Sequence, residues 1–443
     1  MNGLKREGIV QKTIICLLLA IYFFIDRRPV LIEGGLSMDE LLSWTYAVNG
    51  FESFFDRWLN SSHQPMFYII LTIWNKVLGN PNDYWIRLVP LGFALIALVL
   101  YSLFSIRKNG LFLGILLSLF FIFEPLTSGL SVFLRPYSMI FCLIMANLLF
   151  LTEFKNKKLF ELSVVLLLFT HTLGLIYLCI LFVSLLISGF DIKGMIKEYY
   201  YLVILSLLTI ALVLYQGSQE AVNLNWVGRD FSSFHLNLNI FWFFLACSGF
   251  LYKSIKKKGE ERLFFVIPLV GICVFFIIDF FVMPFFVGRH FIILYPAGFL
   301  FISLGVKELI GFKYTPVLMM IIILFFKAVN GKPRTEVEQG ELNYKTLFLK
   351  LKESEEISSS KRTLCLYNKS YKGLLKPYSI MYFGFDFCHT HLEVDTDNLK
   401  EAENYEYIAL LDYDNVKNLK LSSNIIFRDE KGYLKIFKND KLK

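Results

Sequence analysis

The chain has 443 residues, of which 56% are hydrophobic and 19% charged, with 46 phenylalanines and a net charge of +8. Soluble domains average about 45–50% apolar and about 25% charged residues. The excess of apolar residues therefore excludes most soluble folds, together with disordered, collagen-like and coiled-coil chains, and a mean hydropathy of +0.54 points to a bilayer as solvent.

A span needs roughly 20 apolar residues, fewer where a helix is short or packed inside a bundle. Eleven such spans are read along the chain. The first is Lys12–Ile25; Lys5, Arg6 and Lys12 flank it as in a signal peptide, but no small-residue cleavage site follows, so it is read as an anchor. A long polar segment to Tyr84 separates it from Ile86–Ile106, Leu111–Phe123 and Tyr137–Thr152. The stretch Leu159–Ser188 is too long for one span and is divided at His171-Thr172. Tyr199–Tyr215, Leu238–Tyr252, Leu263–Phe281, Phe291–Val306 and Tyr314–Lys327 complete the set. With a cytoplasmic N-terminus the inner loops hold 17 basic residues and the outer segments up to Lys327 hold 9, the asymmetry that the positive-inside rule demands. A single span at 159–188 would reverse every later loop and put the Lys253–Lys258 cluster outside. The positive charge is thus accounted for by topology, and no nucleic-acid partner is expected.

Beyond residue 328 the composition changes to 19 basic and 18 acidic residues with short alternating apolar runs. The expected organisation is an all-α polytopic membrane domain over 1–328 and a small soluble α/β domain over 329–443 on the outer side. Strands are predicted at Thr363–Tyr367, His389–Val394, Tyr407–Leu411, Ile425–Arg428 and Tyr433–Phe437, and helices at Tyr371–Met381 and Asn398–Asn404. No internal repeat is visible, and the spans are nearly free of charge. Both features count against a flippase or transporter of lipid-linked saccharides, the alternative reading of such a chain.

Since most bilayer residues are apolar filler, the informative residues are the polar ones at outer loops and span ends. The first outer loop runs Ser37-Met38-Asp39-Glu40 and later Ser61-Ser62-His63-Gln64-Pro65. Ser37 can cap a helix whose first turn carries Asp39 and Glu40 beside the positive end of its dipole, which would account for the carboxylates without any catalytic role. From Pro65 a second, amphipathic surface helix is predicted, with Phe67, Ile70, Leu71, Trp74 and Leu78 on one face. Seven cysteines, none in a Cys-x-x-Cys pair, suggest neither a zinc site nor a disulfide framework.

An acidic Asp-Glu pair in the first outer loop, a downstream His-x-Pro opening an aromatic helix, and many spans ending in an outer domain resemble the C superfamily of membrane glycosyltransferases. Within it, the likeness is to the protein mannosyltransferase and lipid A aminoarabinose transferase group. It continues through Trp85-Ile86-Arg87-Leu88-Val89-Pro90, Leu134-Arg135-Pro136-Tyr137-Ser138, Thr170-His171-Thr172-Leu173-Gly174 and Gly288-Arg289-His290, over roughly residues 30–310. The usual His-Pro-Pro of the group is His63-Gln64-Pro65 here. The resemblance implies transfer of a sugar from a polyprenyl-phosphate donor to an acceptor on the outer face of the membrane, with inversion. A carboxylate at the lipid–water boundary suits the general base, and that role falls to Asp39, with Glu40 orienting the acceptor or a metal. A lipid-phosphate leaving group needs charge stabilisation, for which Arg135 and Arg289 are the candidates, assisted by Tyr137 and His290. His63 and His171 are candidates for positioning donor or acceptor. Asp39, Glu40 and His63 also offer ligands for a divalent ion, and metal use stays open because some members of the superfamily use one. Neither a glycine-rich phosphate loop nor a nucleotide-sugar site is seen, which favours a lipid-linked donor. The abundance of Lys, Asn, Ile and Phe suits an AT-rich bacterial genome, and the plasma membrane is the expected location.

Overall fold

A computed structural model describes residues 2–33, 36–48, 64–79, 81–220, 260–281 and 288–309, five strands between 363 and 438, and the single positions Trp58, Val317 and Met320. The elements described before the strands are helices: α1 (Asn2–Glu33), α2 (Met38–Val48), α3 (Met66–Leu78), α4 (Asp83–Asn109), α5 (Leu111–Phe123), α6 (Pro125–Leu130) and α7 (Tyr137–Thr152). They continue with α8 (Lys157–Leu168), α9 (Thr172–Ser188), α10 (Ile192–Glu198), α11 (Tyr200–Glu220), α12 (Glu260–Phe281), a 3-10 turn (Gly288–Ile293) and α13 (Tyr295–Leu309). Among the described residues two helices, α4 and Glu261–Phe281 of α12, are long and apolar enough to cross a membrane; the bent pair α10–α11 makes a third if it is one span, and five apolar helices are shorter. The predicted spans Leu238–Tyr252 and Tyr314–Lys327 lie outside the described residues, apart from Val317 and Met320.

The chain divides into two compact units, one of residues 1–29, 51–69 and 88–333 and one of residues 30–50, 70–87 and 334–443. In the first, α1 shows how the solvent inverts the usual amphipathic rule. Val10, Ile14, Leu17, Leu18, Ile21 and Ile25 form an exposed apolar stripe at helical spacing, while Cys16, Leu19 and Phe23 turn inward. Such a stripe suits contact with lipid. The centre of this unit is aromatic: the ring of Phe299 on α13 lies 5.0 Å from Phe121, 5.3 Å from Tyr101 and 6.3 Å from Phe141, so α4, α5, α7 and α13 share one ring cluster. Buried polar residues act as glue between helices, as expected where water is absent. Asn147 donates to Ser163 Oγ at 2.9 Å and accepts from Tyr177 Oη at 3.1 Å, and buried Ser303 accepts from the half-buried Asn109 at 2.9 Å.

The division at 159–188 is present, with α8 ending at Leu168 and α9 beginning at Thr172. Of two neighbouring elements, one adds to the expectation and one corrects it. The span predicted to begin at Tyr199 is preceded by α10, which lies 83° from α11. The predicted face of α3 is rotated: Phe67, Tyr68, Leu71, Thr72 and Asn75 are buried, whereas Leu78 is exposed. A period-3.6 count of apolar residues alone misplaces this face, because Thr72 and Asn75 are drawn into the interior.

The second unit contains a five-stranded sheet ordered β2-β1-β3-β5-β4, with β1 (Thr363–Tyr367), β2 (Thr390–Glu393), β3 (Tyr407–Leu411), β4 (Asn424–Arg428) and β5 (Leu434–Lys438). β1 is parallel to β2 and β3, and β5 is antiparallel to β3 and β4. Parallel neighbours require crossover connections of about a dozen residues or more. The helices predicted at 371–381 and 398–404 fall in those two connections and lie outside the described residues.

Candidate active site

In the second unit the Asp-Glu pair opens α2. Ser37 precedes the helix, and its Oγ accepts from Glu40 N at 3.4 Å while Glu40 Oε2 accepts from Ser37 N at 2.9 Å. This reciprocal capping box satisfies two donors that the helix start would otherwise leave open. The same Glu40 Oε2 accepts from Arg87 Nη2 at 2.9 Å, and Arg87 Nη1 reaches the Val30 carbonyl at 3.3 Å. Glu40 is 1% exposed and Arg87 0%, so the pair is fully desolvated. Glu40 is thus occupied as a structural tie between the start of α2 and the start of α4. Asp39 lies in the first turn of α2; its side chain, and all of His63, lie outside the described residues.

In the first unit three predicted residues meet at one ring. Tyr137, the first residue of α7, is buried; its ring stacks parallel to Phe133 at 6.2 Å, lies 5.9 Å from His171, and faces the Arg289 guanidinium at 6.0 Å. The last distance is at the outer limit for a cation over an aromatic face. His171 precedes α9 and caps it, with Nδ1 accepting from Leu173 N at 3.1 Å. A cap of this kind needs an unprotonated Nδ1, so Nε2 is the proton-bearing nitrogen of the neutral ring. His290 follows Arg289 in the 3-10 turn and is partly exposed.

Arg135 sits in the irregular segment between α6 and α7 and is only 7% exposed, so its guanidinium is not a snorkelling head in water. That segment is held at both ends. Ser138 Oγ donates to the Leu130 carbonyl at 2.5 Å, Arg135 N donates to the Phe133 carbonyl at 2.7 Å, and Arg27 from α1 donates to Ser131 Oγ at 3.2 Å and to the Ile122 carbonyl at 2.5 Å.

Sequence reasoning missed several of these supports. Arg27 was hidden in a run of ordinary span-end charges, and Glu124 carries only the local signal of an acidic residue before proline. Buried Glu124 caps α6 by accepting from Thr127 N at 2.7 Å. Gln64, which stands where the resembled group has proline, also has a structural counterpart. Gln64 donates to Gln216 Oε1 at 3.1 Å and accepts from Trp58 Nε1 at 3.2 Å, while Gln216 donates to the Trp58 carbonyl at 2.5 Å, closing a buried amide ring. A proline could make none of these bonds. Among the described residues no group of three His, Cys, Asp or Glu side chains is placed to hold a metal ion.

The fold is shared with a solved protein, ArnT. The chain is similar to ArnT from Cupriavidus metallidurans in the apo state, with a TM-score of 0.64 and 12% identity over 98% of both chains. Against ArnT bound to undecaprenyl phosphate the TM-score is 0.62, again at 12% identity over 98% of both chains. An Archaeoglobus fulgidus oligosaccharyltransferase, in complex with Zn and sulfate, aligns at a TM-score of 0.49 and 10% identity over 89% of this chain and 67% of its own. By sequence, neither a protein-family model nor a curated protein matches.

Proposed function

We propose that this protein is an integral-membrane glycosyltransferase that moves a sugar from a polyprenyl-phosphate donor to an acceptor at the outer face of the plasma membrane. The carrying observation is the meeting of Arg289, Tyr137 and His171 in a chain with the fold of ArnT, which binds undecaprenyl phosphate. In this reading Asp39 removes the proton from the acceptor hydroxyl as its oxygen attacks the anomeric carbon. The bond from that carbon to the phosphate oxygen breaks on the opposite side, so configuration inverts, and polyprenyl phosphate leaves with the electron pair. The leaving phosphate gains negative charge, and the guanidinium groups of Arg135 and Arg289 stabilise it with paired donors. Tyr137 and His290 complete the phosphate subsite, and His171 and His63 position the donor and acceptor. Glu40 acts at one remove, fixing the helix turn that carries Asp39. The module over 329–443 lies on the same outer side.

The test is binding of undecaprenyl phosphate to the purified protein. Arg289→Lys keeps the charge but loses the fork, and is expected to weaken binding by roughly 10- to 150-fold, the equivalent of one charge-assisted hydrogen bond of about 1.5–3 kcal/mol. Unchanged affinity in Arg135→Lys and Arg289→Lys alike would remove the phosphate assignment. Repeating turnover after chelation, with Mg²⁺, Mn²⁺ or Zn²⁺ added back, decides whether Asp39 and His63 work with a divalent ion.

A further inference from the structure

The helices α8, α9, α10 and α11 enclose a groove of about 390 Å³ whose walls include Phe160, Cys179, Phe182, Met195, Leu202 and Ser206. Its surface is almost wholly apolar, and the Ser206 hydroxyl is returned to its own helix, donating to the Leu202 carbonyl at 2.8 Å. Along one end runs α10, whose Ile192, Met195 and Ile196 line the groove while Lys193 and Lys197 are exposed. A short helix with an apolar side on the bundle, a lysine side in water and an 83° turn into the next helix has the form of an element lying at the membrane surface.

The charges at this end are unequal in what they do. Glu198 and Glu161 share Lys157 at 2.9 and 3.9 Å, Glu153 binds Lys108 at 2.6 Å, and Asp191 caps α10 by accepting from Gly194 N at 3.1 Å. Lys158, Lys193 and Lys197 are exposed and belong to no ion pair among the described residues. An apolar slot beneath an excess of positive charge is complementary to one class of molecule, a lipid with a negative headgroup. We propose that this groove seats an acyl chain of one anionic phospholipid, whose phosphate is held by Lys158, Lys193 and Lys197. The polyprenyl carrier is the poorer fit. His171, against Tyr137, caps one end of α9, and α10 follows the other end, so the 17 residues of the helix separate the two phosphate positions by about 25 Å. The site stands independently of the glycosyltransferase reading.

The test is native mass spectrometry of the full-length protein with phosphatidylglycerol or phosphatidylcholine, joined to photocrosslinking by a phosphatidylglycerol with a diazirine in its acyl chain. Wild type is expected to retain phosphatidylglycerol preferentially and to crosslink within residues 160–210. Each lysine lost is expected to lower its retention about fivefold, from roughly 1 kcal/mol per basic residue at an anionic surface, so Lys193→Gln/Lys197→Gln should bind it little better than phosphatidylcholine. Ser206→Trp, which fills the slot, should lower retention of both lipids while gel filtration and melting temperature stay at the wild-type values. Equal retention of both lipids by wild type, crosslinks outside 160–210, displacement by undecaprenyl phosphate but not by phosphatidylglycerol, or occupation by a second copy of the chain would each overturn the proposal.

Discussion

Glu40 and Arg87 form a buried ion pair beside a catalytic candidate. Their ion pair is 2.9 Å long with both side chains out of solvent, and the carboxylate also receives the Ser37 amide. Removing one partner leaves a buried charge uncompensated, at a cost of about 3–5 kcal/mol. Glu40→Gln and Arg87→Met should each lower the melting temperature in detergent, and Glu40→Leu/Arg87→Met should recover part of the loss. If the single variants melt with the wild type, the pair is not holding the start of α2. The Ser37-x-x-Glu40 spacing made the capping box legible from the sequence. Arg87, 47 residues further on, was not legible as its partner because nothing local records a pairing across that distance. Tyr137, Arg135 and Arg289 were each singled out from short motifs, whereas the approach of the Tyr137 ring to that of His171 required the fold.

The break between α8 and α9 is the element on which the topology turns, and its chemistry is explicit. Phe169 N and Thr170 N close the end of α8 on the Val165 and Leu167 carbonyls, and His171 opens α9. A Cβ on Gly174 would lie 2.4 Å from the Leu167 carbonyl oxygen, so only glycine allows the two helices to approach this closely. Gly174→Ala should therefore destabilise the protein by about 1–3 kcal/mol, the usual range for overpacking, read as a lower melting temperature. An unchanged melt would show that the contact relaxes without cost. The break was legible because charge balance forbade one long span there. The turn of α10 into α11 was not, because lysines and apolar residues at 192–198 read equally well as a loop. The strand positions were read from short apolar runs such as Tyr407–Leu411 bounded by polar residues, a signal contained within five residues.

At the scale of the whole molecule, orientation rests on the 17 to 9 division of basic residues between the two sides. Lys193→Cys should react with a membrane-impermeant maleimide only after the membrane is opened, and Glu338→Cys in intact cells; the reverse pattern would invert the topology. The proposed orientation would put Asp39 outside, on the side where the proposed reaction draws on a lipid-linked sugar. The most direct test of the central claim is release of polyprenyl phosphate from a panel of polyprenyl-phosphate sugars, with membrane extract as acceptor, by the wild type and by Asp39→Asn. The account predicts that the wild type discharges at least one donor and that Asp39→Asn, folded and still binding the donor, is slower by about 10²–10⁴-fold, the usual contribution of a general base. Equal rates in the two proteins would contradict it, as would movement of a labelled lipid-linked sugar across proteoliposomes by both with no discharge of any donor.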